Sequence, residues 1–509
     1  MYSQAHAMAL FGMEGVPIHV ECDSSNGLPE MSLVGYLGSE VREAKDRVRT
    51  ALKNTGFTLP PRRITINLSP ADIRKEGTGF DLAIAVSLLC SAELLDLGGW
   101  LENTVFMGEL GLDGRLLPIN GILTMVGAAK AAGFSCCILP QANAPEGALV
   151  EGIKVIGLES LEQLLFLQKG ELSPLPCPLR ELLQQEAARE DVDFSEVNGQ
   201  RSLRRAAEVA AAGRHNLLMI GSPGSGKTMI ARRIPTILPK LSLEEALAVS
   251  RIYSVCGLLS REKPLMLSRP FRSPHHTVSS FALVGGGKLP RPGEISLASH
   301  GVLFLDELPE FPKTALEALR QPLEDSQVSI ARVQGSYRFP ADVMLVAAMN
   351  PCRCGYYPDR NRCRCGDGEV SAYLKRISRP LLDRMDLCVE APPLGYGELM
   401  KKEKNESSKK IRERVEEARE RQARRFKDSG ILFNARMSGR DVKRYCPLNP
   451  EQEGFLKKVF EQKGLSARGY HRILKVARTV ADLRGSESVA LADLAEAVGY
   501  RGPEDKFWR

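Results

Sequence analysis

The stretch GSPGSGKT, residues 221–228, decides the fold of this 509-residue chain. It follows the apolar run NLLMI, residues 216–220, and precedes the helical pattern MIARRI, residues 229–234. A strand, a G-x-x-x-x-G-K-T loop and a helix in this order are typical of a loop whose backbone N–H groups wrap phosphates. The helix N-terminus adds a favourable partial positive charge. The sequence therefore predicts a nucleotide-phosphate site on a parallel α/β sheet.

Each residue of the loop has an expected role in this site. The ammonium group of Lys227 would reach the β- and γ-phosphates, and the hydroxyl of Thr228 would ligate Mg²⁺. The remaining loop residues would form the backbone cradle, and these are Gly221, Ser222, Pro223, Gly224, Ser225 and Gly226.

Two further apolar runs end in polar residues that belong beside this loop. GVLFLDEL, residues 301–308, delivers two carboxylates at the end of a buried strand, and ADVMLVAAMN, residues 341–350, ends in an amide. Ligands of open α/β sheets bind at the carboxyl ends of the strands. We expect Asp306 to hold the Mg²⁺ shell, Glu307 to polarise the attacking water and Asn350 to hydrogen-bond the water or the γ-phosphate.

Two arginines are candidates for contact with the γ-phosphate. Arg384 lies between short apolar runs in LLDRMDLCVE, a position that suits an arginine acting on a neighbouring subunit, although a surface ion pair is the ordinary alternative. Arg468 lies near the start of the predicted helix 465–483, where it would contact the phosphate of its own subunit. Arg379 and Arg472 lie close by and are alternatives for these two roles.

The segment NPCRCGYYPDRNRCRCGDG, residues 350–368, contains four of the twelve cysteines as two C-x-C pairs. The cysteines are Cys352, Cys354, Cys363 and Cys365. Four thiolates bind Zn²⁺ tetrahedrally, and such a closed site would be structural. A redox-sensitive thiol cluster and unliganded cysteines are the alternatives. His275 and His276 could also ligate a metal, but a surface or substrate-facing pair fits them better.

The composition is that of an ordinary globular protein, with 43% apolar and 26% charged residues. Neither a secretory signal nor an 18-residue apolar run is evident, so we expect a cytosolic protein with reduced thiols and no membrane partner. A net charge of +7 does not by itself indicate nucleic-acid binding. Residues 401–427 hold twelve Lys/Arg against six Glu, which indicates a salt-bridged helix, with a nucleic-acid contact as the alternative.

The patterning divides the chain into four regions. Residues 1–168 alternate strand and helix patterns as in an α+β domain, and residues 169–195 are polar and proline-containing, as in a linker. Residues 196–395 alternate strands and helices as in a parallel α/β core, with the cysteine segment 350–368 as an insertion. Residues 396–509 have an almost entirely helical pattern and are predicted to form a C-terminal helical lid.

These elements, in this order, resemble the AAA+ ATPases of the magnesium-chelatase-like branch, and most closely the ComM/YifB family. The most specific stretch is FRSPHHTVSSFALVGGGKLPRPGEISLASHGVLFLDELPEF, residues 271–311, which MNPCRCGYY and RPLLDRMDL continue. The resemblance implies ATP and Mg²⁺ as cofactors. It assigns Lys227 and Thr228 to Walker A and Asp306 and Glu307 to Walker B. Asn350 becomes sensor 1, Arg384 the arginine finger and Arg468 sensor 2.

The same resemblance implies a homo-oligomeric ring, usually hexameric, that acts on DNA. Such a motor would be a helicase that promotes branch migration of recombination intermediates in natural transformation. A different class is a magnesium-chelatase-type or protein-remodelling motor that works through a protein partner. A third class is an ATP-dependent peptidase.

Two N-terminal segments resemble the Lon protease domain. RKEGTGFDLAIA, residues 74–85, is similar to the segment with the nucleophilic serine, and GELGLDGRLLPINGIL, residues 108–123, to the segment with the catalytic lysine. Gly79 and Leu123 stand where the serine and the lysine would be. A serine–lysine dyad needs a hydroxyl and an amine. We therefore expect a Lon-like (ribosomal S5 domain 2-like) fold without peptidase activity.

Two loops are candidates for DNA contact. SIARVQGSYRFP, residues 329–340, is predicted to form a hairpin with Gly335 at its turn, flanked by Arg332 and Arg338. VGGGKLPRPG, residues 284–293, is similar to a second inserted pore loop and exposes Lys288. Basic residues on such loops can follow a phosphate backbone without reading sequence. Two surface loops with ordinary charges are the alternative.

Overall fold

The computed structural model describes residues 1–184, 192–287, 290–332, 335–393 and 405–508. The chain separates into two units. Unit 1 comprises Met1–Ala187, Leu243–Leu267 and Ala331–Arg338, and unit 2 comprises Ala188–Ser242, Ser268–Ile330 and Phe339–Arg509. Among the described residues, no helix is long and apolar enough to cross a membrane.

The first part of the chain alternates strands and helices. Its strands are β1 Tyr2–Phe11, β2 Glu14–Ser25, β3 Glu30–Val34, β4 Arg63–Ser69, β5 Thr104–Phe106, β6 Glu109–Leu110, β7 Leu116–Leu117, β8 Cys136–Pro140 and β9 Lys154–Leu158. Its helices are α1 Ser39–Asn54, α2 Asp81–Ser91, α3 Trp100–Asn103, α4 Ile122–Ala131, α5 Ala144–Gly147, α6 Leu164–Gln168 and α7 Leu179–Gln184.

The second part begins with alternating elements and ends in helices. Its strands are β10 Leu217–Gly221, β11 Phe271–Arg272, β12 Gly285–Gly286, β13 Arg291–Pro292, β14 Val302–Leu305, β15 Gln327–Arg332, β16 Gly335–Pro340, β17 Met344–Met349 and β18 Leu387–Ala391. Its first helices are α8 Arg201–Gly213, α9 Lys227–Ile237, α10 Leu243–Val255, α11 Ser280–Val284, α12 Glu294–Leu297, α13 Lys313–Ala318, α14 Arg320–Asp325, α15 Asp367–Leu374 and α16 Arg379–Leu382. The C-terminal helices are α17 Ser408–Arg425, α18 Gly439–Tyr445, α19 Pro450–Lys463, α20 Ala467–Leu483, α21 Leu491–Gly499 and α22 Gly502–Trp508.

Unit 1 is built on a seven-stranded sheet in the order β3-β4-β2-β1-β5-β8-β9. Helix α1 buries one face, with Val41, Ala44 and Val48 at helical spacing, whereas α2 is buried almost all round. Strands and helices alternate here, as the pattern of residues 1–168 predicts. This is the α+β architecture that the sequence indicated.

Helix α10 packs in unit 1, although it follows the phosphate-loop helix α9 in the chain. The Ser254 carbonyl accepts a hydrogen bond from Gly121 N at 3.0 Å, and the Ser254 hydroxyl donates to the buried carboxylate of Glu146. Glu146 also accepts from Leu123 N at 2.9 Å. Burial raises the pKa of Glu146, and the bonds from Ser254 and Leu123 oppose that rise.

Unit 2 is built on a five-stranded sheet in the order β11-β14-β17-β10-β18. Each pair of neighbours is parallel. Since β17 lies between β10 and β14, the carboxyl ends of these three strands meet at one edge of the sheet. This topology confirms the predicted parallel core.

The C-terminal helices surround a buried carboxylate, Asp482 on α20. Asp482 accepts from Arg425 Nη1 at 3.0 Å, from Arg478 Nε at 3.2 Å and from Asn434 Nδ2 at 2.8 Å. The side chains of Asp482 and Arg478 are both 0% exposed. Buried charges of this kind persist only when they are paired and hydrogen-bonded. The network therefore fixes α17 against α20.

The surface of α17 carries ion pairs between residues four positions apart. Arg412 pairs with Glu416, Arg421 with Glu417, and Arg424 with Glu420, all within 4.0 Å. Such exposed pairs contribute little to stability. They agree with a solvated, salt-bridged helix in the described part of the basic run, residues 405–427.

Replacing Asp482 should destabilise the helical lid strongly. In Asp482→Ala the Arg478 guanidinium stays buried without its carboxylate, and breaking a buried pair in this way costs about 3–5 kcal/mol. The measurement is urea unfolding followed by circular dichroism. Arg424→Ala is the matched control, since Arg424 is 77% exposed and its pair with Glu420 spans 4.0 Å. Equal unfolding midpoints for the two variants would contradict the role of the network.

Candidate active site

The phosphate loop joins β10 to α9 and adopts the backbone conformation that its glycines permit. Gly224 and Gly226 have φ angles of +76° and +82°, in the left-handed region that favours glycine. Lys227 is 8% exposed, and its Nζ donates to the carbonyls of Gly221 at 2.8 Å and Ser222 at 2.9 Å. Burial lowers the pKa of Lys227, and the charges of Asp306 and Glu307 oppose that fall.

The residues predicted from three separate strands converge at this loop. Thr228 Oγ1 donates to Asp306 Oδ2 at 2.7 Å. Lys227 Nζ donates to Asn350 Oδ1 at 3.3 Å. Because β17 lies between β10 and β14 in a parallel sheet, the carboxyl ends of the three strands bring these side chains to one edge. There they form two hydrogen-bonded pairs. The arrangement offers an ammonium, a hydroxyl–carboxylate pair and an amide to one triphosphate.

Glu307 follows Asp306 with its backbone in the left-handed region, at φ +51°. Its N–H donates to Asp306 Oδ1 at 2.9 Å, and its side chain is 57% exposed. A non-glycine residue in this conformation carries strain of the kind that concentrates at functional sites. The carboxylate is thus exposed to solvent, where a water molecule can reach it.

His276 is a neighbour of Glu307 that the sequence did not assign to the site. His276 Nδ1 lies 3.6 Å from Glu307 Oε2, and the rings of His275 and His276 are 4.1 Å apart. Both histidines follow β11, which pairs in parallel with β14. Residues after β11 therefore reach the same sheet edge as Glu307. Only the strand order could have revealed this, since β11 has two residues.

The two predicted γ-phosphate arginines meet at Glu324 on α14. Arg384 Nη2 lies 2.8 Å from a Glu324 oxygen, and its other nitrogens donate to the carbonyls of Arg320 and Pro380 at 2.9 and 2.6 Å. Arg468 Nη1 lies 3.9 Å from the second Glu324 oxygen. The two side chains are 10% and 68% exposed. The structure therefore brings Arg384 and Arg468 together at one carboxylate.

The neighbouring arginines have different environments. Arg472 is only 12% exposed and lies 3.7 Å from Asp386 Oδ1, so it has a packing role in the lid. Burial disfavours the Asp386 carboxylate, but His215 and Arg472 outweigh that effect and lower its pKa to about 2. Arg379 is exposed on the first turn of α16. Arg379 thus remains available as an alternative to Arg384.

The four cysteines of the insertion form one cluster, which we call the cysteine knuckle and define as residues 351–365. Cys352 Sγ lies 3.4 Å from Cys354 Sγ and 3.7 Å from Cys363 Sγ, and Cys354 and Cys363 are 3.6 Å apart. All four sulfurs, including that of Cys365, lie within 4.8 Å of one another. Tetrahedral zinc with 2.3 Å bonds separates its sulfurs by about 3.8 Å. The donor set and its spacing fit zinc.

The cysteine knuckle also touches the phosphate loop. Gly355 has a φ of +84°, and a Cβ placed on it would lie 2.4 Å from Pro223 Cδ. Only glycine permits this approach, because both the backbone angle and the space exclude a side chain. The knuckle begins directly after Asn350, so it is joined to the nucleotide site both through the chain and through packing.

The predicted DNA-contact residues are only partly described. Arg332 and Arg338 are exposed on β15 and β16, while Tyr337 is buried and stacks on Phe11 with ring centroids 4.4 Å apart. Gly335, predicted at the turn of the hairpin, is the first residue of β16. Residues 333–334 and Lys288 lie outside the described residues.

The positions of the Lon-type dyad hold neither a hydroxyl nor an amine. A Cβ at Gly79 would lie 3.0 Å from Ile119 Cδ1. Leu123 is 1% exposed, and its N–H donates to Glu146 and, at 3.3 Å, to the Ser254 hydroxyl of α10. The expected lysine position is therefore a packing position for α10.

Three family models match the chain in order. Residues 20–143 match subunit ChlI of magnesium chelatase, residues 193–399 match magnesium chelatase subunit ChlI, and residues 405–501 match the ChlI C-terminal region. The N-terminal region is also similar to the Lon protease of Mycolicibacterium smegmatis, at 31% identity over 148 residues covering 28% of this chain and 19% of that protein.

Two curated relatives match over almost their whole length. The competence protein ComM of Haemophilus influenzae is 42% identical over 501 residues, which cover 97% of this chain and 96% of ComM. The protein YifB of Escherichia coli is 42% identical over 504 residues, which cover 98% of this chain and 97% of YifB. The chain belongs to the ComM/YifB family of magnesium-chelatase-like AAA+ ATPases, with a helical lid and a Lon-protease-like N-terminal domain.

Proposed function

We propose that this AAA+ ATPase is a DNA motor, a hexameric helicase that promotes branch migration of recombination intermediates during natural transformation. The observation that carries the proposal is the convergence of Lys227, Thr228 and Asp306 with Asn350 at one sheet edge. The name of the H. influenzae relative, a competence protein, supports the cellular process. Exposed arginines on the β15–β16 hairpin support nucleic-acid binding.

We propose one step in ATP hydrolysis for each group of the site. Lys227 neutralises charge on the β- and γ-phosphates, and Asn350 hydrogen-bonds the γ-phosphate or the attacking water. Thr228 and Asp306 would hold Mg²⁺, which would supply positive charge beside the phosphates. Glu307, turned toward solvent, orients and polarises the water. His276, 3.6 Å from Glu307, can hold that carboxylate in place.

The arginines act between subunits in this proposal. Arg384 and Arg468 share Glu324 as a counter-ion within one chain. An arginine aimed at a neighbour's γ-phosphate stabilises charge that develops in the transition state. Exchange of Glu324 for that phosphate would make hydrolysis depend on ring assembly.

DNA would contact the exposed face of the β15–β16 hairpin. Arg332 on β15 and Arg338 on β16 are exposed, whereas Tyr337 and Phe339, which flank Arg338, are buried. On the opposite, buried face of the hairpin, Tyr337 stacks on Phe11. An exposed basic surface of this kind binds phosphate groups with little sequence preference. Lys288 is proposed to contribute in the same way.

The direct test is steady-state ATP hydrolysis by the full chain, with and without single-stranded and branched DNA. Strong stimulation by DNA supports the proposal and leads to a branch-migration assay with fluorescent strands. Hydrolysis that is indifferent to DNA would instead favour a motor that works through a protein partner, as the magnesium-chelatase similarity allows.

Variants of the nucleotide site should separate binding from hydrolysis. Lys227→Ala should abolish tight ATP binding, because the phosphates lose their buried ammonium. Glu307→Gln should keep ATP binding but lower kcat by about 10²–10⁴-fold, the range for a lost general base. Fluorescent-nucleotide titration and phosphate release measure the two quantities. Normal turnover by either variant would refute the assignment.

Arg384→Ala should lower the kcat of ATP hydrolysis by about 10³–10⁵-fold. The loss should occur only in assembled rings, where the arginine of one subunit faces the nucleotide of the next. Mixing Arg384→Ala with Glu307→Gln subunits should restore part of the activity. In mixed rings some sites combine an intact Glu307 with a neighbour's intact Arg384. Arg424→Ala, an exposed arginine outside the site, is the matched control, and Arg379→Ala tests the alternative residue. Absence of recovery on mixing would contradict action between subunits.

We also propose that the cysteine knuckle holds a structural zinc ion. The purified chain should then contain one zinc per subunit by mass spectrometry. Cys363→Ser should lose that zinc and melt at a lower temperature, because metal binding and local folding are coupled. Cys177→Ser is the control, since Cys177 is an exposed free cysteine outside the cluster. Equal zinc contents in the two variants would refute the site.

A further inference from the structure

The cysteine knuckle presents a row of arginines to solvent. In its sequence CRCGYYPDRNRCRC, residues 352–365, arginines alternate with the clustered cysteines. The thiols converge inward, with Cys352 and Cys363 buried, so the residues between them point outward. Four arginines are exposed, and these are Arg353, Arg360, Arg362 and Arg364.

Two tyrosines hold part of this row in place. The guanidinium of Arg362 lies 4.1 Å from the ring centroid of Tyr356, and that of Arg360 lies 5.0 Å from Tyr357. Cation–π contacts of this kind reduce the freedom that a side chain must give up on binding. The aromatic rings are half-buried, so their edges remain part of the surface.

The charge of this surface is only partly balanced. Arg360 forms an ion pair with Asp367. Within the described ranges, no acidic side chain pairs with Arg353, Arg362 or Arg364. Guanidinium groups bind phosphate oxygens through paired N–H donors. A row of them beside aromatic rings matches the backbone of an unpaired nucleic-acid strand.

We infer that the cysteine knuckle is a second nucleic-acid contact, which binds the phosphate backbone of single-stranded DNA through Arg353, Arg362 and Arg364. This inference rests on the proposed function and names a site separate from the β15–β16 hairpin. The cysteine cluster sets the spacing of the arginines, because each one flanks a clustered cysteine.

The position of the knuckle gives the contact a consequence for ATP hydrolysis. Gly355 packs against Pro223 of the phosphate loop, and Asn350 precedes the knuckle directly. A strand bound to the arginines therefore lies one packing contact away from the loop that cradles the phosphates. The knuckle is placed to convey DNA binding to the nucleotide site.

The test uses the full chain with Arg353, Arg362 and Arg364 replaced by glutamine. Binding of a fluorescein-labelled oligothymidylate is followed by anisotropy in the presence of a non-hydrolysable ATP analogue. If each arginine meets one phosphate, the slope of log affinity against log salt falls by about 2 and affinity falls by about 50-fold near 0.15 M salt. The DNA concentration that half-maximally stimulates ATP hydrolysis should rise in parallel.

The matched control is Lys443→Gln, Lys457→Gln and Lys458→Gln on α18 and α19, which removes the same charge from exposed positions outside the basic run 401–427. Unchanged affinity and salt slope in the knuckle variant, or an equal fall in the control, overturns the inference. Failure of the unaltered protein to bind the oligonucleotide overturns the proposed function as well.

Zinc content and melting temperature report whether the knuckle variant keeps its fold. If it loses zinc, the single variants Arg353→Gln and Arg364→Gln replace it, with an expected loss of about fourfold each. Zinc-loaded single variants with unchanged DNA affinity would show that the arginines serve only to balance the thiolate charge. Loss of binding to poly-glutamate alone, with DNA binding intact, would assign the surface to an acidic protein partner.

Discussion

The hydrogen bond from Thr228 to Asp306 ties together the two strands on which the active site depends. It spans 2.7 Å between residues 78 positions apart, and it exists because β17 lies between β10 and β14 in a parallel sheet. The same order brings Asn350 to Lys227. Each strand ends at the same edge, so each of the following turns contributes side chains to a common site. With a different strand order the chain would still contain all these residues, but they would not form a site.

Glu324 has a comparable importance for the arginines. Its carboxylate contacts Arg384, which lies after α16, and Arg468, which lies in the first turn of α20. The two arginines thus form one charged feature of a single chain. The proposed exchange of Glu324 for a neighbour's phosphate links the chemistry of one subunit to the presence of the next.

The cysteine knuckle combines a cluster of thiols with a surface of exposed arginines. A segment of this length, with few apolar residues, has little hydrophobic surface to bury, and metal ligation is a standard substitute. Its clustered thiols leave the intervening arginines on the outside. Gly355 then allows the knuckle to approach Pro223 more closely than any side chain would permit. The cysteine cluster, the basic surface and the nucleotide loop are in this way contiguous.

Local patterns of glycine, apolar runs and charge in the sequence were enough to specify the phosphate loop, the Asp306–Glu307 pair, the parallel core and the α+β domain. The missing dyad was implied by the resemblance to the Lon domain. The sequence also indicated the cysteine cluster, since four cysteines in so short a segment must lie near one another.

Only the tertiary structure decided that His276 faces Glu307, that Arg384 and Arg468 share Glu324, and that α10 packs on Leu123 of unit 1. These contacts join residues far apart in the chain, and no periodicity or spacing encodes which distant surface a helix or turn will meet. They follow from strand order and from the burial of whole elements, which are properties of the folded chain.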